Sequence, residues 1–356
     1  MLQTAALLLR YILTLAWCLA GASLFVYLGT PLPWMLGALA AMAIASTCRL
    51  PVLRPPGIQQ VGQLVIGTAL GLYFTPPVLK QLAHYAPFVL GAAIFSFVLG
   101  VLCAAVLVRL SGSDFRTAFF ASLPGGVVEM AVLADRLGGR AERVAAAHAV
   151  RVILVVTSIP LLLTWSGVHG VEQWMPATSH GVDYGGLLLM GVLTASAALI
   201  LRRCNMPNNW VIGPLLAMVL LTGMNIELST MPRWATNTAQ VLIGCTLGGR
   251  FNAAFFRSAP RFLGSVVVSV CLAMLLAAGF AWALAAISGI NLPTMILATA
   301  PGGVAEMSIT AQALHFGVPV VVAFHVVRMA FLVLATAPLV MSAQRYLRWR
   351  HSMRMP

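Results

Sequence analysis

A stretch of 29 residues occurs twice in this chain, 177 residues apart. The first copy begins with PGGVVEM at Pro124 and the second with PGGVAEM at Pro301, and 13 of the 29 aligned residues are identical. QLVIGTALG and QVLIGCTLG repeat at the same offset, and PWMLG and NWVIG repeat at an offset of 176. An internal repeat of this kind predicts two copies of one structural module. We therefore expect two units of nearly equal length, residues 1–178 and 179–356.

The composition indicates that both units lie in a membrane. Hydrophobic residues make up 60% of the chain and charged residues 8%, whereas a soluble domain carries about 25% charged residues. The apolar runs are continuous rather than alternating, which predicts an all-α polytopic membrane protein and not a barrel. The runs are 7–28, 34–48, 58–74, 87–108, 143–165, 184–201, 210–226, 234–247, 261–287 and 319–341. The first run lacks a preceding basic region and has a counterpart in the second half, so we expect a retained helix rather than a signal peptide.

The distribution of charge predicts the orientation of the two halves. If each PGG segment enters and leaves on the same side, 17 of the 21 Lys and Arg residues lie on one face, as the positive-inside rule requires. Each half then has five transmembrane helices and one re-entrant PGG segment. Because an odd number of crossings ends on the opposite side of the membrane, the second half is predicted to be inverted relative to the first. The net charge of +13 does not form a dense basic stripe, and we predict no nucleic-acid partner.

The two PGG motifs are candidate binding segments. Proline ends a helix, and glycines leave backbone N–H groups accessible at the start of the next one. A helix N-terminus attracts negative charge, so Gly125, Gly126, Gly302 and Gly303 predict a cradle for an anionic or polar solute. The alternative is a bend that lets helices pack closely.

Ionisable residues recur at matched positions behind each motif. Glu129 and Glu306 follow the prolines by five residues, and a carboxylate within a membrane is costly enough to indicate a coupling group for protons or cations. The alternative is a structural ion pair with a buried arginine.

An H-x-x-R pattern follows in each half. His148 lies three residues before Arg151, and His325 three before Arg328, so each pair shares one helix face. Arginine can hold a carboxylate or phosphate, and histidine can relay a proton. The alternative is a buried pair that joins neighbouring helices. The Glu and His residues together could also bind zinc or iron, but the adjacent arginines argue against a metal and we predict no cofactor.

Two glutamines begin the outer repeated motif, Q-x-x-x-G-x-x-x-G. The glycines at a spacing of four favour close helix packing. Gln63 and Gln240 are predicted as further polar contacts to the solute.

The duplicated PGG-V-x-E-M motif, the H-x-x-R helix and the W-x-x-G helix start together resemble the AbrB-type bacterial membrane proteins, a duplicated family that also carries the labels ammonia monooxygenase and transcriptional regulator. The resemblance covers nearly the whole chain and implies a multi-pass protein of the bacterial inner membrane. The distribution of Lys and Arg predicts that both termini lie in the cytoplasm. It supplies no established catalytic residues.

These observations predict a secondary transporter of a small anionic or polar solute, with the lipid bilayer and that solute as partners; a homo-oligomer is compatible with the sequence. One alternative is a membrane-embedded sensor that affects gene expression indirectly through the basic tail 345–354. A membrane monooxygenase is the other, but it needs a cluster of metal ligands, and only two of the seven histidines lie within apolar runs.

Overall fold

The computed structural model describes residues 2–48, 50–168, 170, 181–250 and 259–352, and all of their side chains except those of residues 2–6, 128 and 336–352. The side chains of the basic tail 345–354 therefore lie outside the described part. The described residues form fifteen helices and no strand. The helices are α1 (Leu2–Tyr27), α2 (Pro33–Thr47), α3 (Ile58–Gly71), α4 (Pro76–His84), α5 (Ala86–Ser111), α6 (Phe115–Ser122), α7 (Val127–Arg136), α8 (Ala141–Trp165), α9 (Tyr184–Arg203), α10 (Asn209–Gly223), α11 (Arg233–Gly248), α12 (Pro260–Ser288), α13 (Leu292–Thr299), α14 (Val304–Ala313) and α15 (Val318–Ser352).

Among the described residues, six helices are long and apolar enough to cross a bilayer: α1, α5, α8, α9, α12 and the first half of α15. They correspond to six of the ten predicted apolar runs. Their outward faces carry large exposed side chains such as Leu8, Leu188 and Leu275. An apolar surface of this extent is what contact with lipid requires.

The other four predicted runs form shorter helices, α2, α3, α10 and α11, of 14 to 16 residues. At 1.5 Å per residue these helices are about 21–24 Å long, less than the roughly 30 Å of a hydrocarbon core. Helix α3 continues into α4 through a bend of 89°. Helix α2 packs against α11, and α3 packs against α10, so the four short helices join the two halves of the chain.

Glycines bring these short helices into backbone contact. A Cβ atom on Gly67 would lie 2.5 Å from the carbonyl oxygen of Val211 in α10, and one on Gly244 would overlap that of Met35 in α2. No side chain fits at either position unless the helices separate. The Q-x-x-x-G-x-x-x-G motifs thus provide the close packing favoured by the sequence, and the two contacts are equivalent positions in the repeat.

Each PGG motif separates two short helices. Leu123 and Ala300, which precede the prolines, have extended backbone with ψ values of 132° and 142°, as expected for a residue before proline. Helices α6 and α7 in the first half, and α13 and α14 in the second, contain only 8 and 10 residues each. Helices α8 and α15 pack along the two kinks.

Candidate functional site

In the first half, His148 and Arg151 of α8 bind the kink between α6 and α7. Arg151 Nη1 donates to the carbonyl oxygen of Leu123 at 2.9 Å, and Nη2 lies 2.9 Å from His148 Nδ1. Because arginine only donates, His148 Nδ1 accepts. The ring proton is therefore on Nε2, which donates to the carbonyl oxygen of Phe120 at 2.9 Å.

The second half repeats this arrangement 177 residues later. Arg328 Nη1 donates to Ala300 O at 2.6 Å, and Nη2 donates to His325 Nδ1 at 2.8 Å. His325 Nε2 donates to Leu297 O at 2.9 Å. The one difference is that Arg328 Nη2 also reaches Gly302 O at 2.6 Å, whereas the extra contact of Arg151 is a longer one, 3.4 Å to Ser122 O.

These contacts supply donors to the carbonyl ends of two broken helices. The last carbonyls of a helix have no partner within it, and at membrane depth an unpaired carbonyl is costly. A cation is also favoured at the negative end of a helix. Arg151 and Arg328 are 6% and 5% exposed, and the described partners of their guanidinium groups are carbonyls and an imidazole rather than carboxylates. Within the described part of the chain neither guanidinium forms an ion pair, and the Nε of each has no hydrogen-bond partner there.

Glu129 and Glu306 fold back over the starts of their own helices. Each is the third residue of its helix, and Gly126 and Gly303 are the N-caps. A Cβ atom on either glycine would overlap the carboxylate oxygen of its glutamate. A glutamate at this position complements the positive end of a helix. Each PGG segment therefore carries a carboxylate at its second helix and a guanidinium at its first.

The two kinks meet at one central cavity of about 90 Å³. One buried water needs about 10–15 Å³ on the same measure, so the space suits a few waters or one small ion. Of the predicted site residues, its lining includes Gly125, Gly126, Gly302, Gly303, Arg151, Arg328, Gln63, Glu306 and His325. Three predicted residues, Gln240, Glu129 and His148, are not part of the lining.

Three polar residues of the cavity were missed by the sequence reasoning: Gln59, Asn208 and Arg250. Gln59 lies one helical turn before Gln63 on the same face of α3, a spacing that could have identified it. Asn208 precedes α10 with a left-handed φ of 50°, and Arg250 follows the end of α11. Neither belongs to a motif that both halves share.

A second, smaller cavity lies on the other side of Arg151. Its volume is about 30 Å³, and its polar lining includes Ser96, Ser122, Ser269 and Thr299. The hydroxyl of Ser122 is buried and has no partner among the described residues. Arg151 and Pro124 line both cavities, so the first kink lies between the central cavity and a smaller, largely apolar one.

The central cavity is electropositive. Arg151, Arg250 and Arg328 contribute three cations against the single carboxylate of Glu306, and α7 and α14 begin at its wall with their positive ends. Such surroundings favour a small anion. Within the described residues, no group of three or more His, Cys, Asp or Glu is placed to hold a metal ion.

The fold and the cavity together define a multi-pass α-helical membrane protein whose broken helices enclose a polar, positively charged site. A family model described as "Transition state regulatory protein AbrB" matches residues 34–344, a range that includes both PGG motifs. The chain belongs to this family, and the resemblance seen in the duplicated motifs is confirmed.

Two relatives match over most of their length. The protein YhjN of Bacillus subtilis (strain 168) is 30% identical over 351 residues, which cover 90% of this chain and 89% of YhjN. A protein of Escherichia coli (strain K12) named "Putative regulator AbrB" is 25% identical over 320 residues, which cover 88% of this chain and 90% of that protein.

Proposed function

We propose that this protein is a secondary transporter of a small anionic or polar solute, with the central cavity as its solute site. The observation that carries the proposal is that two buried arginines, Arg151 and Arg328, line one small cavity and form no ion pair within the described part of the chain. A bound anion would compensate their charge. The Nε atoms that lack a partner would then have an acceptor within reach.

In this proposal the two halves, residues 1–178 and 179–356, are inverted repeats. The matching contacts of the two His-Arg pairs support the repeat. The packing of α2 on α11 and of α3 on α10 supports a two-fold relation, because each half contributes equivalent helices to both pairs. The positive-inside rule then places Arg54 and both termini in the cytoplasm, with the protein in the bacterial inner membrane.

The PGG segments act as re-entrant binding elements. Helices α6 and α7 are about 12 and 15 Å long, so neither crosses a bilayer alone, and the kink between them lies within the membrane. Inverted repeats with broken helices that meet at mid-depth are a common plan of secondary transporters. The N–H groups at Gly125, Gly126, Gly302 and Gly303 contact the solute in this scheme.

The asymmetry of the cavity corresponds to one state of the transport cycle. Gln63 and Glu306 line the cavity, and their repeat equivalents Gln240 and Glu129 do not. In alternating access between inverted repeats, the halves exchange conformations. Gln240 and Glu129 therefore line the cavity in the opposite state.

The glutamates couple the solute to protons. An anion bound beside the carboxylate of Glu306 is repelled unless that carboxylate takes up a proton, so anion and proton bind together. The histidines, which the sequence reasoning had also considered as coupling groups, have both ring nitrogens engaged with the protein. We assign to His148 and His325 the role of holding their arginines.

Uptake into proteoliposomes tests this function. We expect at least one anion from a panel of small carboxylates, phosphate and sulfate to be taken up under an imposed pH gradient. Arg151→Gln and Arg328→Gln should abolish uptake, while Arg233→Gln, which changes an exposed arginine outside the cavity, should leave it intact. If the folded wild-type protein carries neither any of these anions nor protons, the proposed function is wrong.

A second candidate function is favoured by the names of the family and of the Escherichia coli relative. As a sensor, the protein would bind a solute in the same cavity and signal to a soluble partner. Anion binding without flux, together with a stoichiometric partner in a pull-down, would support the sensor over the transporter.

A further inference from the structure

A large open depression lies next to the central cavity. This vestibule has a volume of about 490 Å³, and it is lined by residues of α2, by the loop and helix start at 52–60, and by the end of α11. Gln59 lines both the vestibule and the central cavity. The two spaces are therefore adjacent, and Gln59 on α3 is a lining residue of both.

The vestibule carries a cation at its mouth. The side chain of Arg54 is exposed, and its guanidinium donates to the carbonyl oxygen of Thr246 at 3.4 Å. Its aliphatic part lies over Gly249, where a Cβ atom would come within 2.6 Å of Arg54 Cδ. The next residue, Arg250, lines the central cavity. Positive charge thus continues from the mouth of the vestibule to the buried arginines.

Four of the equivalent positions of the other repeat carry apolar side chains that pack together. Four vestibule residues have apolar equivalents at offsets of 176 to 177. Met42 corresponds to Met218 and Val52 to Leu228, while Arg54 corresponds to Met231 and Gly249 to Leu72. These four equivalents pack together with Met190 in one hydrophobic cluster. Leu72 stands at the position of Gly249, and Met231 stands at the position of Arg54. We call this cluster the apolar plug.

We infer that the vestibule is the entrance through which a small anion reaches the central cavity, with Arg54 as its capture site, and that the apolar plug closes the equivalent entrance on the opposite face. This inference rests on the proposed function, since it assigns the route of the solute. It also identifies the described conformation as open toward the Arg54 face. A cation at the mouth of a cleft raises the local concentration of anions.

Cysteine accessibility tests the entrance without any solute. Gln59→Cys and its repeat equivalent Thr236→Cys form a matched pair, because Gln59 lines the vestibule and the inference places the buried Thr236 behind the plug. Each purified variant is treated with a charged methanethiosulfonate reagent, and modification is quantified by peptide mass spectrometry, so that the native cysteines stay in place. We expect Gln59→Cys to react at least about tenfold faster than Thr236→Cys, the ratio of a strongly biased two-state equilibrium. Equal rates, or a faster Thr236→Cys, would overturn the inference.

A second variant examines the plug. Leu72→Gly copies the residue of the open side, and we expect it to accelerate modification of Thr236→Cys while leaving the rate at Gln59→Cys unchanged or lower. An unchanged rate at Thr236→Cys in a folded Leu72→Gly protein would remove the plug from the scheme. Gel filtration and circular dichroism check the fold of each variant.

The role of Arg54 is tested separately. With an anion that the wild-type protein binds or carries, Arg54→Gln should raise the half-saturating concentration several-fold and weaken its salt dependence, and Arg54→Lys should restore both. No change in Arg54→Gln would exclude capture. If the labelling pattern is found and no anion moves, the proposed transport fails and the entrance remains.

Discussion

Arg328→Ala is expected to destabilise the fold more than any substitution of an exposed arginine. Arg328 donates to Ala300 O, Gly302 O and His325 Nδ1, so its truncation leaves three buried acceptors without this donor. A buried polar atom left unpaired costs about 1–3 kcal/mol, and three of them cost about 3–9 kcal/mol. Removal of the buried charge offsets several kcal/mol of desolvation. We therefore expect a net loss of about 3 kcal/mol in the free energy of unfolding.

The equivalent substitution in the first half provides an internal comparison. Arg151 has one carbonyl contact at 2.9 Å and a weaker one at 3.4 Å, so Arg151→Ala should cost about 1 kcal/mol less than Arg328→Ala. Arg328→Lys keeps the charge but not the fork of donors, and it should recover part of the loss.

Equilibrium unfolding in mixed micelles of a mild detergent and a denaturing one measures these differences, with Arg233→Ala as the exposed control. If Arg328→Ala is as stable as Arg233→Ala, or if Arg151→Ala is the more damaging change, the hydrogen bonds to the kinks do not stabilise the fold as described.

Three further predictions concern helix packing, coupling and one helix cap. Gly67→Ala should lower the free energy of unfolding by about 1–3 kcal/mol, because its methyl group meets the α10 backbone. A Cβ atom on Gly191 has nothing within 4 Å, so Gly191→Ala should raise the free energy of unfolding by up to about 1 kcal/mol. The same unfolding titration compares the two variants. His325→Asn should leave the pH dependence of anion uptake unchanged, whereas Glu306→Gln should remove it, and the opposite result would reverse their assigned roles. Burial raises the pKa of Asp114, but its hydrogen bonds with the backbone N–H and the side chain of Thr117 act in the opposite direction. The net pKa of Asp114 lies below its usual range. Asp114 then stabilises the start of α6 above the unfolded pKa of about 3.9, and the stability gap between wild type and Asp114→Ala should close as the pH falls through the lower folded value.

The sequence predicted an all-helical membrane protein correctly because long apolar runs allow few alternatives. Matched motifs also identified nine of the nineteen residues that line the cavity, since residues that recur in both halves, such as Arg151 and Arg328, face the same kind of kink. Hydropathy located α2, α3, α10 and α11 to within a few residues, but it could not show whether they cross the membrane, because a short apolar helix and a membrane span have the same composition.

The hydrogen-bond partners of the charged residues that recur in both halves could not be predicted from residue spacing either. An H-x-x-R pattern places two side chains on one face, but it does not reveal which carbonyls a neighbouring kink leaves unpaired. Gln59 and Arg250 were missed for a related reason. Their equivalents, Thr236 and Tyr73, differ in chemistry, and neither lines the cavity, so a comparison of the two halves does not reveal them.

Anion binding to the purified protein tests the central cavity most directly. Titration calorimetry with small carboxylates, phosphate and sulfate should give one site per chain for at least one anion, with binding lost in Arg328→Gln and in Arg151→Gln and kept in Arg233→Gln. Binding that survives both buried arginine substitutions in folded protein, or no binding of any of these anions to the wild type, would contradict an anion site at the meeting point of the two kinks.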